Sequence, residues 1–180
     1  MLRAPTSDET EALLKERAER FRHDATSASV DGTAMVVVRA GRDLYALEAA
    51  RVVAVGELSR VTPIPHAPTH VFGFASLRGE VLVVFHLHGV LGVPPSPSEH
   101  GRIVVLGDGI ALAVDAVERF TPIDLGALRP PPPALGAAAA ALVRGVDADG
   151  VATLDIDEMM RSERLVVDVA RARTGEKRSR

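Results

Sequence analysis

The sequence has no cysteine and no tryptophan, and it has only one tyrosine and five phenylalanines among 180 residues. Without cysteine the chain forms no disulfide, offers no thiolate to an iron–sulfur cluster and has no thiol nucleophile. The scarcity of aromatic side chains argues against a stacking surface for single-stranded nucleic acid or for a planar cofactor. No apolar run approaches the roughly 20 residues that a membrane-spanning helix needs.

Positive charge is not in excess either. Lys and Arg number 21 against 24 Asp and Glu, which gives a formal net charge of -3. The chain therefore lacks the excess positive charge that attracts the phosphate backbone of a nucleic acid, and only residues 171–180 are locally basic. The first residues lack the apolar stretch of a secretion signal, so we expect a cytoplasmic protein without direct membrane insertion. The 47% of hydrophobic residues indicates a folded globular chain.

Residues 8–23 have the pattern of an amphipathic helix. Leu14, Ala18 and Phe21 recur on one side with Leu13 beside them, while acidic and basic residues spaced four apart occupy the other sides. Residues 24–33 have no periodic apolar pattern and are predicted to be a linker. We therefore divide the chain into an N-terminal helical extension with its linker (1–33), a main domain (34–165) and a basic C-terminal tail (166–180).

From residue 34 the sequence changes to short β-branched and aliphatic runs separated by Gly, Asp and Pro. This pattern is typical of an all-β sandwich or barrel. The runs are nearly continuous rather than alternating, which indicates strands covered on both faces, and two compact barrels explain this better than one open sheet. The predicted strands lie at residues 35–38, 44–47, 51–58, 71–77, 81–87, 103–106, 110–114, 116–121, 142–146 and 151–154.

The C-terminal part of the domain is predicted to contain little helix. The Ala-rich run over residues 135–142 is predicted to be a loop or a short helix, and a final helix is predicted from Asp155 or Asp157 through Arg164, with Met159 and Met160 buried. Residues 75–79 and 141–145 form a faint internal echo, each ending in Arg-Gly, which is consistent with two related halves.

One cluster could support an enzymatic function. His86 and His88 share a face of the predicted strand and, with Asp115, could present ligands to a metal ion. The competing interpretation is two histidines at the polar end of a strand, because no third ligand has a fixed spacing to them. A metal-dependent enzyme using His86 and His88 is therefore an alternative hypothesis, and we expect no catalytic residue, no metal and no cofactor.

Two stretches resemble the CheW-like coupling proteins of bacterial chemotaxis. They are residues 52–65, VVAVGELSRVTPIP, and residues 77–87, LRGEVLVVFHL, with Gly73 between them. Further motifs follow in the order found in that family: Asp115 with Val117, Arg129 before a run of prolines, Arg144-Gly145-Val146 and the closing run over residues 154–157. The resemblance covers about residues 34–165.

The resemblance implies an all-β fold of two intertwined five-stranded SH3-like barrels, with an N-terminal and a short C-terminal helix. It implies a nonenzymatic adaptor that joins the cytoplasmic tips of chemoreceptors (methyl-accepting chemotaxis proteins) to the regulatory domain of a CheA-type histidine kinase. Such a protein would act in two-component signal transduction, at receptor clusters on the inner membrane. A divergent β-barrel interaction module outside chemotaxis is a further alternative.

The family pattern also implies two binding surfaces. The kinase-binding residues would lie on the outer surface of the first barrel, and they would be Val36, Ala49, Val52 and Ile64. The receptor-binding groove would use Val55, Leu77 and Arg78, with Asp115 and Val117 from the second barrel.

The chain departs from the family pattern at a few positions. Ser76, Val83 and His86 replace residues that the family often has, and Ala54 stands where an acidic residue often lies beside Arg78. Glu57 or Glu80 could pair with Arg78 instead. These departures suggest a divergent coupler dedicated to one signalling cluster, with the leading helix adding a contact of its own.

Overall fold

We analysed a computed structural model of the chain, which describes residues 32–58, 60–95, 101–133, 135–162 and 164–165. The predicted N-terminal helix over residues 8–23 and the basic tail over residues 171–180 lie outside the described residues.

Within the described ranges, ten strands form two five-stranded sheets. The sheet order is β8-β1-β2-β10-β9 in the first barrel and β3-β6-β7-β5-β4 in the second. The strands are β1 (Thr33–Ala40), β2 (Asp43–Glu48), β3 (Ala54–Glu57), β4 (Val71–Leu77), β5 (Glu80–His86), β6 (Arg102–Gly107), β7 (Ile110–Val114), β8 (Ala116–Ile123), β9 (Val143–Val146) and β10 (Ala152–Leu154). The helices are α1 (Leu87–Leu91), α2 (Ala137–Ala140) and α3 (Ile156–Arg161), with 3-10 turns at Ala49–Arg51 and Leu125–Ala127.

The two barrels are intertwined, as the family resemblance implied. The hairpin β1–β2 pairs with β8 and β10 from the second half of the chain, and the hairpin β6–β7 pairs with β3 and β5 from the first half. Each half therefore gives a hairpin to one barrel and three strands to the other. The pairs β2·β10 and β5·β7 are parallel, whereas the other two pairings between the halves, β1·β8 and β3·β6, are antiparallel.

Both barrels close by the same device, a single bridge opposite a glycine. Thr62 pairs with Phe74 at the edge of β4, and Arg129 pairs with Val146 at the edge of β9. A Cβ atom on Gly73 would overlap the carbonyl oxygen of Thr62, and one on Gly145 would lie 2.8 Å from the carbonyl oxygen of Arg129. Gly73 is therefore the counterpart of Gly145, and the echo that aligned residue 79 with Gly145 is out of register.

Alternation along the strands fills three hydrophobic clusters. In β1, Met35 and Val37 point into the first barrel, whereas Val36 and Val38 point into a large core between the barrels. In β6, Ile103 points into the second barrel and Val104 into the shared core. Both faces of these strands are buried, which explains their continuous apolar runs, and each fully buried aliphatic side chain contributes about 1.5–3 kcal/mol.

The short helices differ most from the sequence prediction. The predicted strand over residues 81–87 ends at His86, because Leu87 begins α1, whose C-terminus is capped by Gly92 in the left-handed conformation (φ 70°). Helix α1 has only five residues and contains Gly89, so it has too little periodicity to be recognised in the sequence. The α-helix in the Ala-rich run spans only Ala137–Ala140, and α3 begins at Ile156 with the side chain of Asp155 accepting a hydrogen bond from the Glu158 amide at 2.9 Å.

Candidate functional site

Val36 is not on the outer surface of the first barrel. Its side chain has 0% exposure and belongs to the core between the barrels. The prediction that Val36 lies on the kinase-facing surface is therefore wrong in this respect. The cause is the second barrel, which covers the outward face of β1.

Ala49, Val52 and Ile64 have a different environment from Val36. All three are partly buried and pack against the rim of the core between the barrels. Ala49 begins the 3-10 turn after β2, and the Val52 amide donates to the Ala49 carbonyl oxygen at 3.1 Å. Arg51 in the same turn pairs with Asp157 at the start of α3. The turn is thus closed by its own hydrogen bond and joined to α3 by an exposed ion pair, and its aliphatic side chains form an accessible rim.

The edge strand β3 presents two more valines to solvent. Val55 is 38% exposed and pairs in register with buried Val104, so it lies on the face that turns toward the core between the barrels. Val53 lies on the same face, because it is two residues earlier, and is 64% exposed. Val53 was not among the site residues predicted from the sequence. The alternation of Val53, Val55 and Glu57 was the signal that could have identified this face.

Arg78 lies at the tip of the β4–β5 hairpin. Its backbone has φ 53° and that of Gly79 has φ 83°, as in a type I′ turn. The Arg78 side chain is exposed and makes no ion pair in the described part of the chain, whereas Leu77 packs against the interior of the second barrel. Glu57 forms its ion pair with Arg102 at 2.8 Å, so the suggested Glu57–Arg78 pair is not present.

Asp115 and Val117 lie at a different place from Arg78. Asp115 joins the two barrels: its carboxylate accepts a hydrogen bond from the Gly41 amide at 2.7 Å, and its own amide donates to the Arg39 carbonyl oxygen at 2.9 Å. Val117 belongs to β8 of the first barrel, which corrects its assignment to the second. Because Arg78 precedes β5 while Asp115 follows Ala113, which pairs with His86 at the far end of β5, about 20 Å of strand separates them.

A further exposed apolar area lies on the outer face of the second barrel. Phe74 is 40% exposed and Val81 69%, and Phe74 pairs in register with partly buried Val83. Neither residue was predicted from the sequence to be exposed. Both lie in strands whose near-continuous apolar runs predicted that both faces would be covered.

The two histidines of the metal hypothesis are neighbours. The rings of His86 and His88 are 4.8 Å apart, and Phe72 stacks on His86 at 4.2 Å. Burial, followed by the nearby His88, lowers the pKa of His86, while Asp115 acts in the opposite direction. No group of three or more His, Asp or Glu side chains that could hold a metal ion occurs within the described ranges. The histidine pair belongs to an aromatic stack at the end of β5.

Comparison with known proteins decides between these hypotheses. The family model of the CheW-like domain matches residues 34–164. The chain belongs to this family. A solved structure with the same fold is the scaffolding protein TtCheW from Thermoanaerobacter tengcongensis, with 25% sequence identity, a TM-score of 0.64, and coverage of 79% of this chain and 93% of TtCheW. No curated protein matches the sequence.

Membership of the CheW-like family confirms the predicted fold and the absence of enzymatic activity. CheW-like proteins are scaffolding adaptors of chemotaxis rather than enzymes. The hypothesis of a metal-dependent enzyme that uses His86 and His88 is therefore wrong. In the described ranges, no helix combines the length and the apolar character needed to cross a bilayer. As a chemotaxis scaffold, the protein acts through its surfaces, and the rim and the β3 edge are the surfaces to consider.

Proposed function

We propose that this CheW-like protein couples chemoreceptors to a CheA-type histidine kinase by holding both at once. The observation that carries the proposal is that two partly apolar surfaces adjoin one shared core, in a protein of the scaffold family. One is the rim formed by Ala49, Val52 and Ile64. The other is the end of the second barrel that carries Val53, Val55 and Arg78.

The rim is the proposed kinase-binding surface. Its side chains are short and aliphatic, and the turn that carries two of them is fixed by the Arg51–Asp157 ion pair. A rigid apolar surface of this kind can dock against a matching barrel of the kinase regulatory domain without ordering a flexible loop. Val36, buried beneath the surface, contributes to its rigidity and makes no contact with a partner.

The end of the second barrel is the proposed receptor-binding surface. Val53 and Val55 offer exposed apolar contacts along an edge strand, which suits one face of a receptor's helical hairpin. Arg78 lies at the same end of the barrel and offers a guanidinium to a carboxylate on the receptor. Asp115 and Val117 lie too far away to share this contact. We propose that Asp115 instead fixes the angle between the barrels through its bond to Gly41.

Both proposed partners place the protein in the cytoplasm, at receptor clusters on the inner membrane. Simultaneous binding then lets receptor occupancy alter the activity of the kinase.

The test is reconstitution with a cognate receptor fragment and kinase, in which retention of each partner and stimulation of kinase activity are measured. Val52→Asp should abolish retention of the kinase regulatory domain, while Val81→Asp, at an exposed valine of the second barrel outside the proposed rim, should leave it unchanged. Arg78→Asn removes the charge but tolerates the positive φ, and it should weaken receptor binding about tenfold. Its matched control is Arg42→Asn, at an exposed arginine in the β1–β2 turn.

Two outcomes would contradict the proposal. If the unsubstituted chain retains neither the regulatory domain nor the receptor tip, the protein is an interaction module outside this coupling. If Arg78→Asn and Arg42→Asn weaken receptor binding equally, the effect is one of general charge, and Arg78 has no specific role.

A further inference from the structure

The outer face of the β4–β5 hairpin carries two exposed apolar side chains. Phe74 on β4 is 40% exposed and Val81 on β5 is 69% exposed. Ser76, which pairs in register with Val81, is exposed on the same face. The alternating neighbours Ala75 and Leu82 are buried inside the second barrel. Alternation along both strands therefore separates a sealed inner face from an open and mainly apolar outer face.

The two exposed apolar side chains are close neighbours. Phe74 pairs with Val83 and Ser76 pairs with Val81, so Phe74 and Val81 stand diagonally across the two strands. Diagonal neighbours on one face of an antiparallel pair lie about 7–8 Å apart, within reach of an aromatic ring. Val83 is partly buried and packs against the core between the barrels, which supports the surface from below. One partner segment can therefore contact Phe74 and Val81 together.

The same hairpin ends in a guanidinium held by a strained backbone. Arg78 has φ 53° and Gly79 has φ 83°. The first central position of such a turn favours glycine, asparagine or aspartate, so arginine there costs conformational energy that those residues would avoid. The Arg78 side chain is exposed and makes no ion pair with any other described residue. Its charge is therefore available to a carboxylate that another molecule supplies.

These three side chains lie in line along the hairpin. At about 3.3 Å per residue, Arg78 lies roughly 13 Å along the strand from Phe74, and the Ser76–Val81 pair lies midway between them. A helix rises about 1.5 Å per residue, so its residues i, i+4 and i+7 span about 10 Å on one face. The length of the arginine side chain covers the remainder.

A helix also suits the surface because of its backbone. The face of a paired hairpin offers side chains and no backbone hydrogen-bonding groups. A helix satisfies its own backbone hydrogen bonds, whereas an extended segment laid on this face would leave its amides and carbonyls without partners.

We propose that the outer face of the β4–β5 hairpin binds one amphipathic helix, which presents an apolar residue to Phe74, a second to Val81 and a carboxylate to Arg78. The inference rests on the proposed function and deepens it, because this helix then belongs to the receptor tip. It adds Phe74 and Val81 to the proposed receptor-binding surface and states the order of side-chain chemistry that the receptor helix carries.

Retention of a cognate receptor fragment by the full chain tests the apolar part of this contact. Phe74→Asp should weaken receptor binding about tenfold or more, whereas Phe74→Leu, which keeps an apolar side chain, should weaken it less than about threefold. Retention of the kinase regulatory domain is the folding control and should be unchanged in both variants. Equal receptor binding by the two variants would overturn the inference and leave the coupling function standing. Failure of the unsubstituted chain to bind the receptor would instead contradict the proposed function, and the inference with it.

The absence of cysteine allows a second test with a single thiol on the hairpin. Ser76→Cys changes the outer face little, because the two side chains are similar in size, and it places the thiol beside Val81. Labelled with a photoreactive maleimide, this variant should attach to one helix of the receptor fragment, at a site with an Asp or Glu about one turn away. The matched control is Arg42→Cys, in the exposed β1–β2 turn of the first barrel, which should not attach.

Three results of the photolabelling would overturn the inference. They are equal attachment by the two cysteines, attachment at a receptor site with no carboxylate within two turns, and attachment only between copies of this chain. The last result would assign the outer face of the hairpin to self-association.

Discussion

The two barrels share one strand order and one mode of closure, yet they differ in what they expose. The second barrel presents Val53, Val55, Phe74 and Val81, while Phe120 is the one large hydrophobic side chain that the first barrel exposes among the described residues. Architecture therefore does not determine the binding surfaces. The difference arises in the residues on outward faces that the other barrel does not cover, and these are where an adaptor can bind partners.

The closing bridges provide the most severe test of the similarity between the barrels. We expect Gly73→Ala to reduce the free energy of unfolding by about 3 kcal/mol or more, because the new Cβ meets Thr62 and the backbone has φ 147°. Gly145→Ala should cost about 1–3 kcal/mol, since it adds a close contact without a positive φ. Urea denaturation measures both.

The control for these substitutions is Gly136→Ala, where a Cβ would have no neighbour within 4 Å. Its effect should stay within about 0.5 kcal/mol. If all three variants lose similar stability, the two bridges do not close the barrels in the way described.

The contrast between the shared core and the exposed surface is tested at two valines. Val36→Ala should cost about 2 kcal/mol, because it removes buried methyl groups and leaves a cavity between the barrels. Val81→Ala, at a side chain that is 69% exposed, should change the free energy of unfolding by less than about 0.5 kcal/mol. Equal losses in chemical denaturation would mean that Val36 is not sealed by the second barrel.

Two strands of the first barrel, β2 and β10, each bury a hydroxyl group that has no hydrogen-bond partner among the described residues. Within the described part of the chain, Tyr45 Oη and Thr153 Oγ1 are buried without a hydrogen-bond partner. Tyr45→Phe should therefore raise stability by about 1 kcal/mol. Burial, with a smaller effect of Asp43, raises the pKa of Tyr45 to about 12.

The ionisation of Tyr45 can be followed directly, because the chain has no other tyrosine. At pH 10, where the phenol of an exposed tyrosine is half ionised, the native protein should show almost no phenolate absorbance. Since burial raises the pKa of Tyr45 above its value in the unfolded chain, the free energy of unfolding is unaffected by this ionisation below pH 10 and falls as the pH rises toward 12. A phenolate signal at pH 10 in folded protein would contradict its burial.

The smallest expected effect is a pH dependence at the junction of the barrels. Burial and the neighbouring His88 lower the pKa of His86 below 6.5, and Asp115 opposes them only in part. The unfolded chain therefore binds a proton first, so stability is full above pH 6.5 and falls as the pH drops below it. Denaturation at pH 7.5 and pH 5.5 should show this loss, and His86→Gln should reduce it. An unchanged pH profile in His86→Gln would exclude His86 as its origin.

Much of the fold was predictable because it depends on local chemistry. Short β-branched runs and glycine turns indicated every strand, and Asp155 indicated the start of α3. The binding surfaces were less predictable. Val36 and Val53 have the same side chain and similar apolar neighbours, yet one is sealed and the other exposed. No local pattern distinguishes them, because the covering residues come from distant parts of the chain.

The distances between candidate site residues could not be predicted from the sequence either. Arg78 and Asp115 follow one another in the family pattern, but β5 and β7 run parallel and place them at opposite ends of the second barrel. The order of motifs along the chain does not tell which end of a barrel a loop occupies. The position of a loop is set by which strands pair and in which direction they run.

The amino-acid order alone determined where the backbone extends and turns, which chemistry the chain cannot perform and which family it joins, since these depend on residue types and near neighbours. The tertiary structure decided which half supplies each hairpin and which side chains remain accessible to a partner. The physical reason is that burial on the outward face of a strand depends on a barrel assembled from residues far away along the chain.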